Sequence, residues 1–173
     1  IPYDEAADKY AHFIQSKVDG DFNGIRVVAD CANGAASYIA PKLLRSLGAD
    51  VVAISCKPDG ININDGCGST HLEQLRKAVV REEADLGIAY DGDADRLLAV
   101  DEEGNVVDGD KLLLIFGSYL DKEGLLKENT IVITVMSNLG LKVACKERGI
   151  QTLETAVGDR YVIEGMKESG AVL

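Results

Sequence analysis

The stretch "ADLGIAYDGDADRLLAV" (residues 84–100) joins two apolar runs through a short acidic segment. The runs at 84–90 and 97–100 have the length and aliphatic composition of strands, and the turn sequence "DEEGN" follows at 101–105. We therefore predict a hairpin here. The acidic segment places aspartates at alternate positions and an arginine directly after them: Asp91, Asp93, Asp95 and Arg96.

Strand and helix patterns alternate along the rest of the chain, which is typical of parallel sheets covered by helices. The predicted strands are 25–31, 50–55, 84–90, 97–100, 130–136 and 150–155. The predicted helices are 3–18, 35–48, 70–83, 109–124, 138–149 and 160–169, with a capping box between Thr70 and Glu73. The fold class is therefore α/β, with a mixed, largely parallel sheet covered by helices. Because the β-α-β pattern restarts after residue 108, we predict one complete α/β domain at 1–108 and the first part of a similar one at 109–173.

Composition and charge exclude several classes of function. The 173 residues are 46% hydrophobic, enough for a real core, and carry a net charge of −11. An acidic chain repels phosphate backbones and anionic lipids, so we expect no binding to nucleic acid or to membrane surfaces. The four cysteines form no CxxC pair, and no apolar run reaches transmembrane length. We expect a reduced, cytoplasmic chain.

The three alternating aspartates predict a cation site. Two carboxylates about 4 Å apart repel by roughly 1 kcal/mol in water and about 4 kcal/mol at an effective dielectric constant of 20. Oxygen donors without nearby His or Cys favour Mg²⁺, Ca²⁺ or Mn²⁺. Arg96 is suited to bidentate contact with a phosphate. A lone DxD would more often be a solvated acidic turn, but the third aspartate, the buried strand and the arginine favour a metal.

Two other chemistries fit the segment less well. An EF-hand loop beginning at Asp91 would place Glu102 at position 12, but position 6 is Arg96 where glycine is required, and strands flank the segment. An aspartyl-phosphate phosphatase would use Asp91 as nucleophile, but that motif needs Thr or Val at Asp95 and lies near the start of its fold.

The segment "DGDADR" (91–96) resembles the metal-binding loop of the α-D-phosphohexomutases. Three further stretches are similar to that superfamily. "PDGININDGCGSTH" (58–71) and "ADCANGAAS" (29–37) resemble its phosphoglucosamine mutase branch, and "VGDRYV" (157–162) resembles a loop of its third domain. The resemblance runs from one end of the chain to the other.

The resemblance implies a four-domain enzyme that interconverts glucosamine 6-phosphate and glucosamine 1-phosphate. A phosphoserine in the first domain would donate its phosphoryl group, giving a 1,6-bisphosphate that reorients and returns the other group. One Mg²⁺ would bind the aspartates at Asp91, Asp93 and Asp95, and Arg96 would face the site of phosphoryl transfer. Such chemistry depends on positioning and charge neutralisation.

The same resemblance implies that other parts of the enzyme are missing. No stretch resembles the phosphoserine loop, the sugar-binding loop of domain three or the phosphate-binding loop of domain four. We expect a fragment covering domain 2 and the start of domain 3, inactive without domains 1 and 4. The alternatives are another phosphohexomutase, acting on mannose or glucose phosphates, and a non-catalytic module that binds metal or phosphosugar.

The remaining candidate residues lie near the end of the chain. Asp159 and Arg160, within "VGDR", would contact the phosphosugar, or else Asp159 caps a helix and Arg160 is a surface charge. A half-complete second sheet would expose an apolar edge, so we also expect pairing with another chain, including a homo-oligomer.

Overall fold

The computed structural model describes residues 5–173, which form two compact units separating between Val107 and Asp108. The first helix, α1, runs over Ala6–Gln15, within the predicted range of 3–18. The start of that prediction, at residues 3 and 4, lies outside the described residues. None of the helices in 5–173 combines the length and apolar character needed to cross a membrane.

A five-stranded mixed sheet forms the centre of the first unit. Its strand order is β2-β1-β3-β4-β5, with β1, β2 and β3 parallel and with β4 and β5 antiparallel to their neighbours. The strands are β1 (Arg26–Asp30), β2 (Asp50–Ile54), β3 (Leu86–Tyr90), β4 (Leu97–Asp101) and β5 (Val106–Val107). The helices are α1, α2 (Ala36–Ser46) and α3 (Glu73–Arg81). This arrangement confirms the predicted α/β class.

The central strand β1 is covered on both faces because successive side chains of a strand point to opposite sides. Val28 packs with Leu75 and Val79 of α3. Val27 and Ala29 pack on the other side, in a cluster that includes Leu44 of α2. Burial on both faces explains why β1 reads in the sequence as a nearly continuous apolar run.

The predicted hairpin is present and fixes the position of the acidic segment. Strands β3 and β4 are antiparallel, and Tyr90 is paired with Leu97. Residues 91–96 are therefore the whole connection between two paired strands. They lie at the carboxyl ends of the parallel strands, the edge where α/β sheets gather ligands.

The predicted start of α3 was wrong. The helix begins at Glu73, with Leu72 as N-cap, and no side chain caps it, so the capping box of Thr70 and Glu73 does not form. The backbone N–H groups just before the helix have other partners: Ser69 donates to the Tyr90 carbonyl and His71 donates to the Gly68 carbonyl. These bonds hold residues 69–71 in a turn, so the helix begins only after them.

The second unit has a two-stranded parallel sheet, β6–β7, with three helices. Its core contains Ile131, Ile133, Leu141 and Cys145. Its elements are α4 (Gly109–Lys122), a 3₁₀ turn (Lys127–Asn129), β6 (Thr130–Thr134), α5 (Leu139–Glu147), β7 (Gln151–Thr155) and α6 (Asp159–Ser169).

Two helices of this unit have side-chain caps, since Asp108 accepts from the Lys111 N–H and Asn138 from the Leu141 N–H. Strand β7 pairs only with β6 within the described residues, and Leu153 on β7 is exposed. The pairing of this edge with another chain stays a prediction.

Candidate metal centre

The acidic segment forms a closed turn at the carboxyl end of β3. The Asp91 N–H donates to the Arg96 carbonyl at 3.3 Å, and the Ala94 N–H donates to the Asp91 carbonyl at 3.1 Å. Ala94 has a left-handed backbone conformation (φ 62°), which is unusual for a residue other than glycine. Strand β4 occupies residues 97–101, inside the stretch that an EF-hand loop would need, so that alternative is excluded.

The turn brings the three predicted metal ligands together. One carboxylate oxygen from each of Asp91, Asp93 and Asp95 lies within 4.8 Å of the other two. Asp91 is buried, with 3% of its surface exposed, whereas Asp93 and Asp95 are exposed. The cluster therefore has one fixed carboxylate at its base and two that open to solvent.

The donor set and its spacing fit a hard divalent cation. Oxygens on opposite sides of Mg²⁺ are about 4.2 Å apart, and those around Ca²⁺ about 5 Å, given the usual metal–oxygen distances. Three oxygens cannot all lie on opposite sides of one ion, so a spread of up to 4.8 Å places the carboxylates near one another but requires the side chains to close further onto either cation. No imidazole or thiolate belongs to the cluster, which disfavours zinc.

Arg96 neutralises part of this negative charge. Its backbone N–H donates to Asp91 Oδ1 at 3.0 Å, and its Nε donates to Asp91 Oδ2 at 2.9 Å. The same Nε lies 3.5 Å from Asp95 Oδ1. Both side-chain contacts run through Nε, so the two terminal amino groups of this exposed guanidinium can donate to an anion. Its predicted role at a phosphoryl-transfer site stays a prediction.

The pKa values of the two carboxylates that contact Arg96 are shifted in opposite directions. Burial raises the pKa of Asp91, but the backbone N–H of Arg96, a hydrogen bond with Asp95, and the charge and guanidinium of Arg96 together outweigh it, and the pKa lies below its ordinary value. The charge of Asp93, followed by burial, raises the pKa of Asp95. The hydrogen bond to Asp91 and the charges of Asp91 and Asp95 raise the pKa of Arg96. The turn thus holds more negative charge than Arg96 compensates.

Two neighbouring loops pack against the acidic turn. The Ala35 N–H donates to the Gly92 carbonyl at 2.9 Å, and a Cβ on Gly34 would collide with that carbonyl. On the other side, a Cβ on Gly92 would lie 2.7 Å from the side chain of Ile63. Glycine is thus required at 34 by the close approach of the Gly92 backbone, whereas at 92 the contact is with side-chain atoms, and the turn is packed from both sides.

Sequence reasoning missed Asp30, a buried carboxylate at the end of β1. Its oxygens accept from the backbone N–H groups of Ala32 and Gly68, each at 3.0 Å. In the sequence this residue only ends an apolar run. The one available signal was an aspartate directly after buried strand residues, where a charge requires partners.

Asp159 and Arg160 lie in the second unit, at the start of α6. Gly158, with φ 133°, is the N-cap residue, and no side chain caps the helix, so the alternative prediction of Asp159 as cap was wrong. Arg160 Nε contacts Glu164 Oε1 at 2.9 Å, one helical turn away, and its side chain is exposed. The structure gives Arg160 a surface ion pair, and contact of either residue with a phosphosugar stays a prediction.

Comparison with known families agrees with the two units. Residues 8–104 match the family model described as phosphoglucomutase/phosphomannomutase, alpha/beta/alpha domain II. Residues 108–173 match the model for alpha/beta/alpha domain III of the same family.

Several curated relatives are similar over nearly the whole chain. A phosphoglucosamine mutase of Carboxydothermus hydrogenoformans is 61% identical over 164 residues, which are 95% of this chain and 37% of the relative. A phosphoglucosamine mutase of Acetivibrio thermocellus is 55% identical over 173 residues, which are 100% of this chain and 38% of the relative. The chain thus spans little more than a third of the length of these relatives.

Solved structures have the same fold. A phosphoglucomutase/phosphomannomutase family protein from Burkholderia thailandensis superposes with a TM-score of 0.80 at 26% identity, covering 98% of this chain and 37% of that one. An apo-form N-acetylglucosamine-phosphate mutase superposes with a TM-score of 0.66 at 19% identity, covering 92% of this chain and 38% of that one, and supports the fold alone. From the two domain matches, the chain belongs to the phosphoglucomutase/phosphomannomutase family.

Proposed function

We propose that this chain supplies the metal-binding part of a phosphoglucosamine mutase, which interconverts glucosamine 6-phosphate and glucosamine 1-phosphate. The observation that carries the proposal is the convergence of three carboxylate oxygens within 4.8 Å at the carboxyl edge of the sheet, next to an arginine. The choice of sugar is supported by relatives of that name at 61% and 55% identity.

In this proposal Asp91, Asp93 and Asp95 hold one Mg²⁺, which would neutralise negative charge on a transferring phosphoryl group when bound. Arg96 keeps the buried Asp91 ionised and aligned through its backbone N–H and Nε. Its terminal amino groups would donate to phosphate oxygens, a geometry for which arginine is suited.

The phosphoserine that donates to the sugar, and the 1,6-bisphosphate that reorients, belong to the complete enzyme in this proposal. The partners of the chain are the phosphosugar and the domains 1 and 4 of the same enzyme. Asp159 and Arg160 are proposed sugar contacts. The 173 residues by themselves are expected to give no turnover, because they contribute carboxylates without the phosphorylated serine.

A chimera tests this function. The segment of the Carboxydothermus relative that matches this chain is replaced by the corresponding residues of this chain, and conversion of glucosamine 6-phosphate is measured. We expect activity in the chimera and a loss of about a thousandfold in Asp93→Asn, since a catalytic cation contributes several kcal/mol.

The matched control is Glu103→Gln, which changes an exposed carboxylate in the turn after β4 and should alter the rate by less than about twofold. Failure of the chimera to convert glucosamine 6-phosphate would contradict the glucosamine assignment. Full activity of the Asp93→Asn chimera would contradict the metal assignment, and turnover by the 173 residues alone would contradict their dependence on other domains.

A further inference from the structure

Asp30 is a fully buried carboxylate to which the proposed chemistry gives no part. It has no exposed surface, and it is not among the three aspartates whose oxygens converge. A charged group in the interior is costly unless hydrogen bonds compensate it. Both of its oxygens accept a backbone N–H, and the two donors lie in different loops.

The first oxygen, Oδ1, holds the turn that follows β1. It accepts from the Ala32 N–H, and Ala32 and Asn33 both have left-handed backbone conformations, with φ of 52° and 48°. Such conformations persist where the surrounding structure fixes them, and they are concentrated at functional sites. The turn ends at Ala35, whose N–H donates to the Gly92 carbonyl at 2.9 Å.

The second oxygen, Oδ2, holds the end of the polar loop at 56–70. It accepts from the Gly68 N–H, and the next residue, Ser69, donates its N–H to the Tyr90 carbonyl at 2.9 Å. Gly68 is tightly enclosed, since a Cβ there would lie 2.6 Å from Ala32 Cβ and 2.7 Å from the Tyr90 carbonyl oxygen.

The two loops that Asp30 holds form hydrogen bonds on either side of one residue. Tyr90 and Gly92, whose carbonyls accept from the two loops, are the immediate neighbours of Asp91 in the chain. We infer that Asp30 is a positioning residue that fixes the buried metal ligand Asp91 through the backbones of both adjoining loops. The inference rests on the proposed function for the statement that Asp91 is a metal ligand.

Substituting Asp30 by Asn tests the inference with little change of shape. The amide of Asn has one oxygen, which can still accept one of the two backbone N–H groups. Its NH₂ group would face the other N–H, and two donors form no hydrogen bond, so the bond to one of the two loops is lost. Asp101→Asn is the matched control. Asp101 Oδ1 also accepts two backbone N–H groups, from Glu103 at 3.1 Å and Asn105 at 2.7 Å, but it is paired with Leu86 at the opposite edge of the sheet.

Two measurements are made on the 173-residue chain and its variants. Mn²⁺ binding is followed by electron paramagnetic resonance, and amide hydrogen exchange in peptides covering 90–96 is followed by mass spectrometry. We expect Asp30→Asn to weaken Mn²⁺ binding about tenfold or more, the usual effect of losing a group that orients a ligand. It should also speed exchange in 90–96. Asp101→Asn should do neither, even where the two variants lose similar stability.

Each outcome decides the inference. Unchanged exchange at 90–96 in Asp30→Asn, or equal effects of Asp30→Asn and Asp101→Asn there, overturns it. Failure of the unmodified chain to bind Mn²⁺, together with faster exchange in Asp30→Asn, retains the positioning of the turn and refutes its role in metal binding. If Asp30→Asn does not fold, Gly68→Ala displaces the same loop and leaves the carboxylate intact. Unchanged exchange at 90–96 in that variant overturns the inference equally.

Discussion

Two acidic turns at opposite edges of the first sheet contain a similar number of carboxylates, but only one of them brings the carboxylate oxygens close together. In the turn at 91–96, oxygens of three aspartates lie within 4.8 Å of each other. In the turn at 101–105, Asp101 accepts from the N–H groups of Glu103 and Asn105 and so stabilises its own loop. Glu102 and Glu103 are exposed and belong to no such cluster among the described residues.

The difference lies in what surrounds each turn. The turn at 91–96 begins with a buried aspartate and has a neighbouring loop on each side, which bond to the carbonyls of Tyr90 and Gly92. The turn at 101–105 connects β4 to the edge strand β5 and lies against α3, through the bond from Arg76 Nε to the Gly104 carbonyl at 2.6 Å. The turn whose carboxylates converge is the one packed between two loops, so local acidity by itself does not make a cation site.

The largest expected effect comes from Gly34, which lies in the loop after β1 and packs against the acidic turn. A Cβ on Gly34 would overlap the Gly92 carbonyl oxygen, so Gly34→Ala must displace the backbone of the acidic turn. We expect it to lower the free energy of unfolding by about 1–3 kcal/mol, as overpacking does, and to weaken metal binding together with it. Denaturant unfolding and Mn²⁺ titration measure the two effects.

Gly104→Ala is the counterpart in the other turn. Its cost should be about 1–2 kcal/mol, because a residue with a side chain is strained at φ 83°, and metal binding should not change. Equal metal affinities of the Gly34→Ala and Gly104→Ala variants would show that the loops do not shape the site.

A smaller effect should appear in the titration of the metal-free carboxylates. The pKa of Asp91 is lowered, so its stabilising contribution is complete above the unfolded pKa and is lost as the pH falls through the folded pKa. The pKa of Asp95 is raised, so this group favours the folded state in acid and opposes it once ionised. Carboxyl-carbon NMR should show Asp95 titrating at higher pH than Asp91. The reverse order would contradict the assigned charge distribution.

Sequence patterns were sufficient for the parts of the site that are local. The apolar runs at 84–90 and 97–100 predicted β3, β4 and the hairpin between them, and the alternating aspartates predicted the carboxylates that converge. These features depend on residues within a few positions of each other, where periodicity and turn chemistry are informative.

Two features that sequence patterns missed or predicted wrongly, the role of Asp30 and the start of α3, depend on contacts between residues distant in sequence. The Asp30 carboxylate bonds to Gly68, 38 residues away, and a single sequence gives no sign of that pairing. The capping box at Thr70 failed because the preceding residue, Ser69, donates to Tyr90 and holds the segment in a turn. The alternative prediction of Asp159 as the cap of α6 failed for a local reason, since the adjacent Gly158 takes that position and tolerates φ 133°.

The central claim is that the turn at 91–96 is a divalent-cation site held ready by its neighbours. Calorimetric titration of Mg²⁺ into the 173-residue chain and into Asp93→Ala tests it most directly. We predict weak, saturable binding to the unmodified chain and none to Asp93→Ala, with both equally folded by circular dichroism. Identical titrations of the two would contradict the claim.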